Sequence, residues 1–145
     1  MSEKVIVRQN AQFETEFLIP DPQEPESDEW IQVAHIRALT PYGRLLASLG
    51  ACTAIVLNSY AENHEVDLEQ VELSLSYARV FDEDCEDCDE LERFKETILQ
   101  EITLEGDLTE KERKRLYHIS QHCPVEKMMI KGVPISSRLV DKTPE

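Results

Sequence analysis

The segment TPYGRLLASLGACTAIVLNSYA, residues 40–61, decides how the rest of this chain can fold. Thr40 is suited to cap a helix with its hydroxyl, and Pro41 suits the first helical position because it has no N–H to lose there. No charged residue occurs among residues 45–57. Apolar side chains recur every three or four residues and form one stripe, which comprises Leu45, Leu49, Cys52, Val56 and Tyr60. The segment therefore predicts a buried helix with a cysteine at its centre.

A second face of the same helix carries Leu46, Thr53 and Leu57, and small residues between them allow other elements to approach closely. The apolar part of the helix is shorter than the ~20 apolar residues that a bilayer requires. We therefore expect the core helix of a globular protein and not a membrane span.

The composition indicates one acidic domain, residues 1–145, in which 41% of the residues are hydrophobic and available for a core. Thirty acidic and fifteen basic residues give a net charge of −15, which repels phosphate backbones and anionic lipids. We therefore expect neither nucleic acid nor a membrane as a partner. No basic stretch followed by an apolar run opens the chain, so we expect a cytoplasmic protein whose four cysteines are reactive or metal-binding.

The residues before the helix predict β-structure. Residues 4–9 and 12–19 have the β-branched and alternating pattern of strands, and Asn10 with Ala11 predicts the hairpin turn between them. Residues 30–39 predict a short third strand that leads into the helix.

The residues after the helix predict three further strands and two helices. The strands are predicted at residues 70–80, 94–104 and 133–140. Residues 82–93 predict a solvated acidic loop between the first two of these strands. Thr109 and Glu112 form a capping-box pattern that starts one helix, and Cys123 precedes a proline that starts another, which Gly132 ends. This order predicts an α+β fold.

Two of the four cysteines lie on helices that are expected to pack on the same sheet. Cys52 and Cys123 are 71 residues apart, and each belongs to the apolar side of its helix, so the two thiols could meet. The amides at a helix N-terminus favour the thiolate form, and Cys123 is predicted at such an end. The residues alone leave a second interpretation open, because free cysteines are often buried and inert.

Three motifs resemble one known family. They are TPYxxLLAxLGACTA at residues 40–54, GDLTEKERKRL at residues 106–116 and HCPVEKMM at residues 122–129. This pattern is similar to that of the OsmC/Ohr family of thiol-dependent peroxide-reducing proteins. The resemblance implies an OsmC-like α+β fold in which antiparallel sheets wrap around a central buried helix, in an intertwined homodimer.

The resemblance also implies an activity, the reduction of organic hydroperoxides in oxidative-stress defence. It implies that Cys52 is the peroxidatic thiol and that Cys123 resolves the sulfenic acid as a disulfide. A thiol reductant of unknown identity would restore both cysteines, and no cofactor would be needed. An apolar pocket around Leu49, Val56 and Met128 is expected to favour bulky organic hydroperoxides.

The family pattern includes an arginine that is oriented by a glutamate, and this chain departs from it. Tyr42 and Gly43 occupy the places where the glutamate is expected. Arg37 is our candidate for the arginine, and Arg44 and Arg8 are other arginines considered for that role.

Two other functions fit the same residues. One is an OsmC-fold dimer without turnover that binds a small apolar ligand or senses redox state. The other is a zinc-binding interaction module that uses Cys85 and Cys88 of the acidic loop, although an idle or disulfide-bonded pair explains these two residues more simply. His118 and His122 are four residues apart and form a possible metal pair that lacks a third ligand.

Overall fold

The computed structural model describes residues 2–81 and 94–141. The strands are β1 (Ser2–Asn10), β2 (Thr15–Pro20), β3 (Trp30–Gln32), β4 (Leu68–Phe81) and β5 (Phe94–Gly106). The helices are α1 (Pro41–Asn63), α2 (Glu110–Ser120) and α3 (Pro124–Lys131), and a short 3-10 helix spans Ile36–Ala38. All described strand pairs are antiparallel, and the order in the sheet is β3-β2-β1-β4-β5. The predicted α+β class is confirmed.

Helix α1 begins as the sequence predicts. The Thr40 hydroxyl accepts a hydrogen bond from the Gly43 amide at 3.0 Å, and Pro41 is the first helical residue. The helix packs across β1 and β4 on one side and contacts α2 and α3 on another. By length and composition α1 would be able to cross a membrane, but its buried residues belong to the core that it forms with the sheet.

The face of α1 that is buried on the sheet differs from the predicted stripe. Leu46, Thr53 and Leu57, which the sequence places on a second face, are fully buried. The predicted stripe is less buried, because Leu45 is exposed and Cys52 is half-buried. The small residues explain the difference, since they let the second face approach the sheet more closely than the larger side chains of the stripe would.

The closest approach occurs at Gly50. A Cβ atom at this position would lie 2.7 Å from Leu75 Cδ1 on β4 and 2.7 Å from Val7 Cγ2 on β1. Carbon atoms in favourable contact lie about 3.5–4.0 Å apart. The helix therefore lies too close to the sheet for any side chain at residue 50.

Strands β4 and β5 form the longest pairing in the sheet, from Leu68 opposite Gly106 to Phe81 opposite Phe94. The inner face of β4 alternates as predicted and buries Val71, Leu73, Leu75 and Tyr77. The predicted acidic loop, with Cys85 and Cys88, lies outside the described residues.

Two strand predictions near the N-terminus were partly wrong. Strand β2 begins at Thr15, because the Asn10 side chain accepts hydrogen bonds from the amides of Gln12 and Glu14 and holds a longer turn. Within residues 30–39 only three residues form a strand, after which the chain turns into the short 3-10 helix.

The predicted last strand, residues 133–140, was wrong. Within the described part of the chain this segment pairs with no strand, and Ile135 and Leu139 are 89% and 96% exposed. An apolar, β-branched pattern needs a partner strand to complete its hydrogen bonds, and a single copy of this chain places none beside it.

Candidate functional site

The two helix cysteines are brought together in the fold. Cys52 lies half-buried in the fourth turn of α1, and Cys123 is fully buried at the N-cap of α3. The chain leaves α2 at Ser120, and Cys123 has an extended backbone that lets Pro124 begin α3 in a new direction. Both thiols are free, and Cys123 lies close enough to Cys52 to raise the pKa of its thiol.

The surroundings of Cys52 favour the protonated form of its thiol. Burial raises the pKa of the Cys52 thiol, and the neighbouring Cys123 thiol raises it further. The backbone N–H of Val125, in the first turn of α3, donates to the sulfur and lowers this pKa in part. The described groups that shift this pKa include no arginine, lysine or histidine.

A cavity of about 560 Å³ lies between α1, β5 and the last two helices. Its apolar wall includes Leu49, one turn before Cys52, together with Met129 of α3 and Ile98 of β5. The pocket predicted around Leu49, Val56 and Met128 is therefore only partly correct. Met129 points into the cavity, whereas Met128 is exposed. Because α3 starts at Pro124, its register turns the second of the two methionines inward.

A polar cluster closes one end of this cavity. The rings of Tyr42 and Tyr77 are stacked with centroids 4.5 Å apart. Arg79 Nη2 donates to Tyr42 Oη at 2.9 Å, and Tyr77 Oη donates to Glu96 Oε1 at 2.7 Å. Burial and the bond to Glu96 raise the pKa of Tyr77, and Arg79 partly opposes this. All members except Arg79 line the cavity directly.

Sequence reasoning missed this cluster, although a signal was present. Arg79 continues the alternation of residues 71, 73, 75 and 77, so it extends the buried face of β4. A cation on a buried face usually has a specific partner. Here those partners are Tyr42 and Glu96, with the Arg79 Nε to Glu96 Oε1 distance at 3.8 Å.

The arginines considered from the sequence lie elsewhere. Arg37 is exposed on the 3-10 helix, and within the described chain it forms no hydrogen bond or ion pair. Arg8 pairs with Glu72 at 2.6 Å and with Glu16 at 3.3 Å, so it ties three strands together. Arg44 Nε donates to two carbonyl oxygens of the turn before α1. Arg8 and Arg44 therefore have structural partners, and the assignment of Arg37 stays a prediction.

A carboxylate also faces the cavity. Glu126 follows Val125 in the first turn of α3 and lines the cavity. Its Oε2 atom is buried and has no hydrogen-bond partner among the described residues. The sequence gave no reason to select this residue, because a glutamate in the first turn of a helix usually interacts only with the helix dipole.

The described residues contain no group of three or more His, Cys, Asp or Glu side chains that could hold a metal ion. The rings of His118 and His122 meet edge to face with centroids 5.2 Å apart. Cys85 and Cys88 lie outside the described residues, so a zinc site in the acidic loop stays a prediction.

Comparison with known proteins identifies the family. A family model described as OsmC-like protein matches residues 34–138, which include both helix cysteines and the cavity side of the sheet. The chain belongs to the OsmC-like family. This OsmC-like chain also resembles the crystal structure of an OsmC-like hydroperoxide resistance protein from Jannaschia sp. CCS1, with a TM-score of 0.57 and 14% identity over 97% of this chain and 94% of that chain. At this identity the likeness shows a shared fold. A search of curated proteins found no match.

Proposed function

We propose that this OsmC-like protein reduces organic hydroperoxides by a two-cysteine mechanism. The observation that carries the proposal is the closeness of the Cys52 and Cys123 thiols, together with an apolar cavity whose wall includes Leu49, one turn before Cys52 in α1. The Cys52 thiolate attacks the terminal oxygen of the hydroperoxide, the O–O bond breaks, and an alcohol leaves. The Cys123 thiol then attacks the sulfur of the sulfenic acid, which gives a disulfide and water. An external thiol reductant returns both residues to thiols.

The cavity supports organic hydroperoxides as the substrate class. Leu45, Leu49, Ile102 and Met129 contribute to its walls. Each Å² of hydrocarbon that leaves water for such a wall stabilises the complex by about 25 cal/mol, and hydrogen peroxide has no hydrocarbon to bury. We therefore expect selectivity for bulky hydroperoxides.

A cation is expected to assist the leaving alkoxide. Arg37 remains our sequence-based prediction, and Arg79 is a second candidate because its partners line the cavity. Tyr42 holds Arg79 through its hydroxyl, and Tyr42 occupies a place where the resembled pattern has its glutamate. We further propose a cytoplasmic homodimer, since thiol reductants are abundant in that compartment.

Two cysteine variants test the mechanism. Cys52→Ser should abolish turnover of cumene hydroperoxide in a stopped-flow assay, because it removes the nucleophile. Cys123→Ser should permit one oxidation of Cys52 and trap the sulfenic acid, which mass spectrometry detects. Wild-type protein should react at least about a hundredfold faster than a free thiol, a factor within the range of acid–base catalysis. If Cys52→Ser and Cys123→Ser lose both turnover and the single oxidation to the same extent, the assigned roles of the two cysteines are contradicted.

One observation favours a second candidate function. The raised pKa of Cys52, with no described cation to oppose it, suits an OsmC-fold protein that binds an apolar ligand or senses redox state without turnover. Wild-type protein that reacts no faster than a free thiol and forms no disulfide would support this alternative.

A further inference from the structure

The cavity between α1, β5 and the last two helices carries an unbalanced negative charge. Two carboxylates line it, Glu96 from β5 and Glu126 from α3, and no lysine, arginine or histidine is among the described residues of its wall. Arg79 balances Glu96, because the Arg79 Nε to Glu96 Oε1 distance is 3.8 Å. Glu126 forms no ion pair within the described part of the chain, and its Oε2 atom is buried without a hydrogen bond there. The protein therefore leaves the charge of Glu126 uncompensated at this wall.

The rest of the wall suits hydrocarbon and organic cations. It includes the apolar side chains of Leu49, Ile98 and Met129 and the rings of Tyr42, Tyr77 and Tyr117. An apolar wall stabilises a bound hydrocarbon by about 25 cal/mol for each Å² that leaves water. The faces of tyrosine rings attract cations, most strongly where water is excluded. The cavity volume of about 560 Å³ lies within the range of roughly 300–1,000 Å³ that small-molecule sites occupy.

We propose that this cavity binds an amphipathic organic cation, with its hydrocarbon part against the apolar wall and its ammonium group facing the Glu126 carboxylate. An ammonium group supplies the positive charge that the wall lacks, and its N–H groups form strong hydrogen bonds with a carboxylate. An anion of the same shape would instead meet a negative charge that no described residue of the wall compensates. The inference concerns the cavity alone and does not depend on turnover by Cys52.

Three probes with the same eight-carbon chain test the charge preference. They are octylamine, which is protonated at pH 7 as lysine is, octanoate and octanol. Isothermal titration calorimetry on the reduced full-length protein should show one octylammonium site per chain. Hydrogen bonds to charged groups are the stronger ones, so we expect octylammonium to bind about tenfold or more tightly than octanoate. Octanoate that binds as tightly, or octylammonium that shows no saturable binding, would overturn the proposal.

Glu126→Gln tests the residue, because it keeps the shape of the side chain and removes its charge. It should weaken octylammonium binding about tenfold or more, within the range for a hydrogen bond to a charged group, and leave octanol binding unchanged. An equal loss of octanol binding would show that Glu126 shapes the cavity and would overturn the role of its charge.

The matched control is Glu110→Gln, which removes the same charge at an exposed position in the first turn of α2. The net charge of −15 attracts cations to the whole surface, so this control separates that general attraction from a site. Octylammonium binding should be unchanged in Glu110→Gln. An equal loss in Glu110→Gln and Glu126→Gln would overturn the site. None of these outcomes bears on peroxide reduction, which the stopped-flow assay of the cysteine variants measures separately.

Discussion

Cys52 combines a sheltered position with a direct contact to a second thiol. Burial is the larger cause of its raised pKa, and the interaction with the Cys123 thiol raises the pKa further. The folded protein thus holds the Cys52 proton more tightly than the unfolded chain does. The stability that this contributes is fully present below the ordinary thiol pKa of about 8.5, and is lost as the pH rises through the pKa of the folded state.

The pH dependence of alkylation tests this shift. Iodoacetamide reacts with thiolate, so the rate for Cys52 should rise with pH and reach half its maximum above about pH 8.5. Cys123→Ala removes the neighbouring thiol that raises the pKa, and should move the midpoint to lower pH. The measurement is mass spectrometry of the Cys52 peptide, with a free cysteine peptide as reference. A wild-type midpoint below that of the reference peptide would contradict the shift.

The sequence predicted part of this site and missed part of it. Helical spacing and the Cys-Pro cap were enough to suggest that Cys52 and Cys123 meet, because both signals are local. Arg79 and Glu126 were not selected from the sequence. A charged residue near the end of a strand, such as Arg79, or in the first turn of a helix, such as Glu126, is common and needs no functional explanation. Their positions at or near the cavity arise only when β4, β5 and three helices assemble.

At the scale of elements, α1 and the sheet are held together by a face of small residues. The sequence predicted the start of α1, the capping box of α2 and the pairing of the two longest strands. It identified two apolar faces of α1 and did not say which of them would pack on the sheet, because both are apolar. Gly50 shows how closely the correct face packs.

Gly50→Ala tests this packing. Alanine favours a helix by about 1 kcal/mol over glycine, but its methyl group would overlap Leu75 and Val7 in a full core. Overpacking costs about 1–3 kcal/mol, so we expect a net loss of about 1 kcal/mol in the free energy of unfolding. Urea denaturation measures it, with the exposed Ser48→Ala in the same helix as control. A more stable Gly50→Ala protein would show that the contact relaxes at little cost.

At the scale of the whole molecule, residues 133–140 are exposed and pair with no strand among the described residues of one chain. Residues 133–140 expose apolar side chains, including Ile135, Leu139 and Val140. Outer strands β3 and β5 each have one neighbour among the described strands, so their second sides offer backbone groups for pairing. The sequence predicted a strand here from its pattern, and the resemblance to the family implied a homodimer, but neither named the partner of this strand. We propose that a second copy covers this segment.

Sedimentation tests the assembly. The full chain should be a dimer at micromolar concentration, and a chain that ends at Gly132 should be a folded monomer, because the exposed apolar segment has been removed. Ile135→Glu combined with Leu139→Glu gives a variant of full length that should behave like the truncated chain. A monomeric full chain, or a truncated chain that remains dimeric, would contradict the proposal.

The meeting of Cys52 and Cys123 also has a mechanical consequence. A disulfide between them would close a ring that contains β4, β5 and α2, roughly half of the chain. A force applied to the two ends of the oxidised protein would pass through the sulfur bridge and would not extend the residues inside the ring. The reduced protein has no disulfide to carry the force, so all of its residues can be extended. Under an applied force, the protein oxidised by peroxide would therefore show a shorter contour length than the reduced protein.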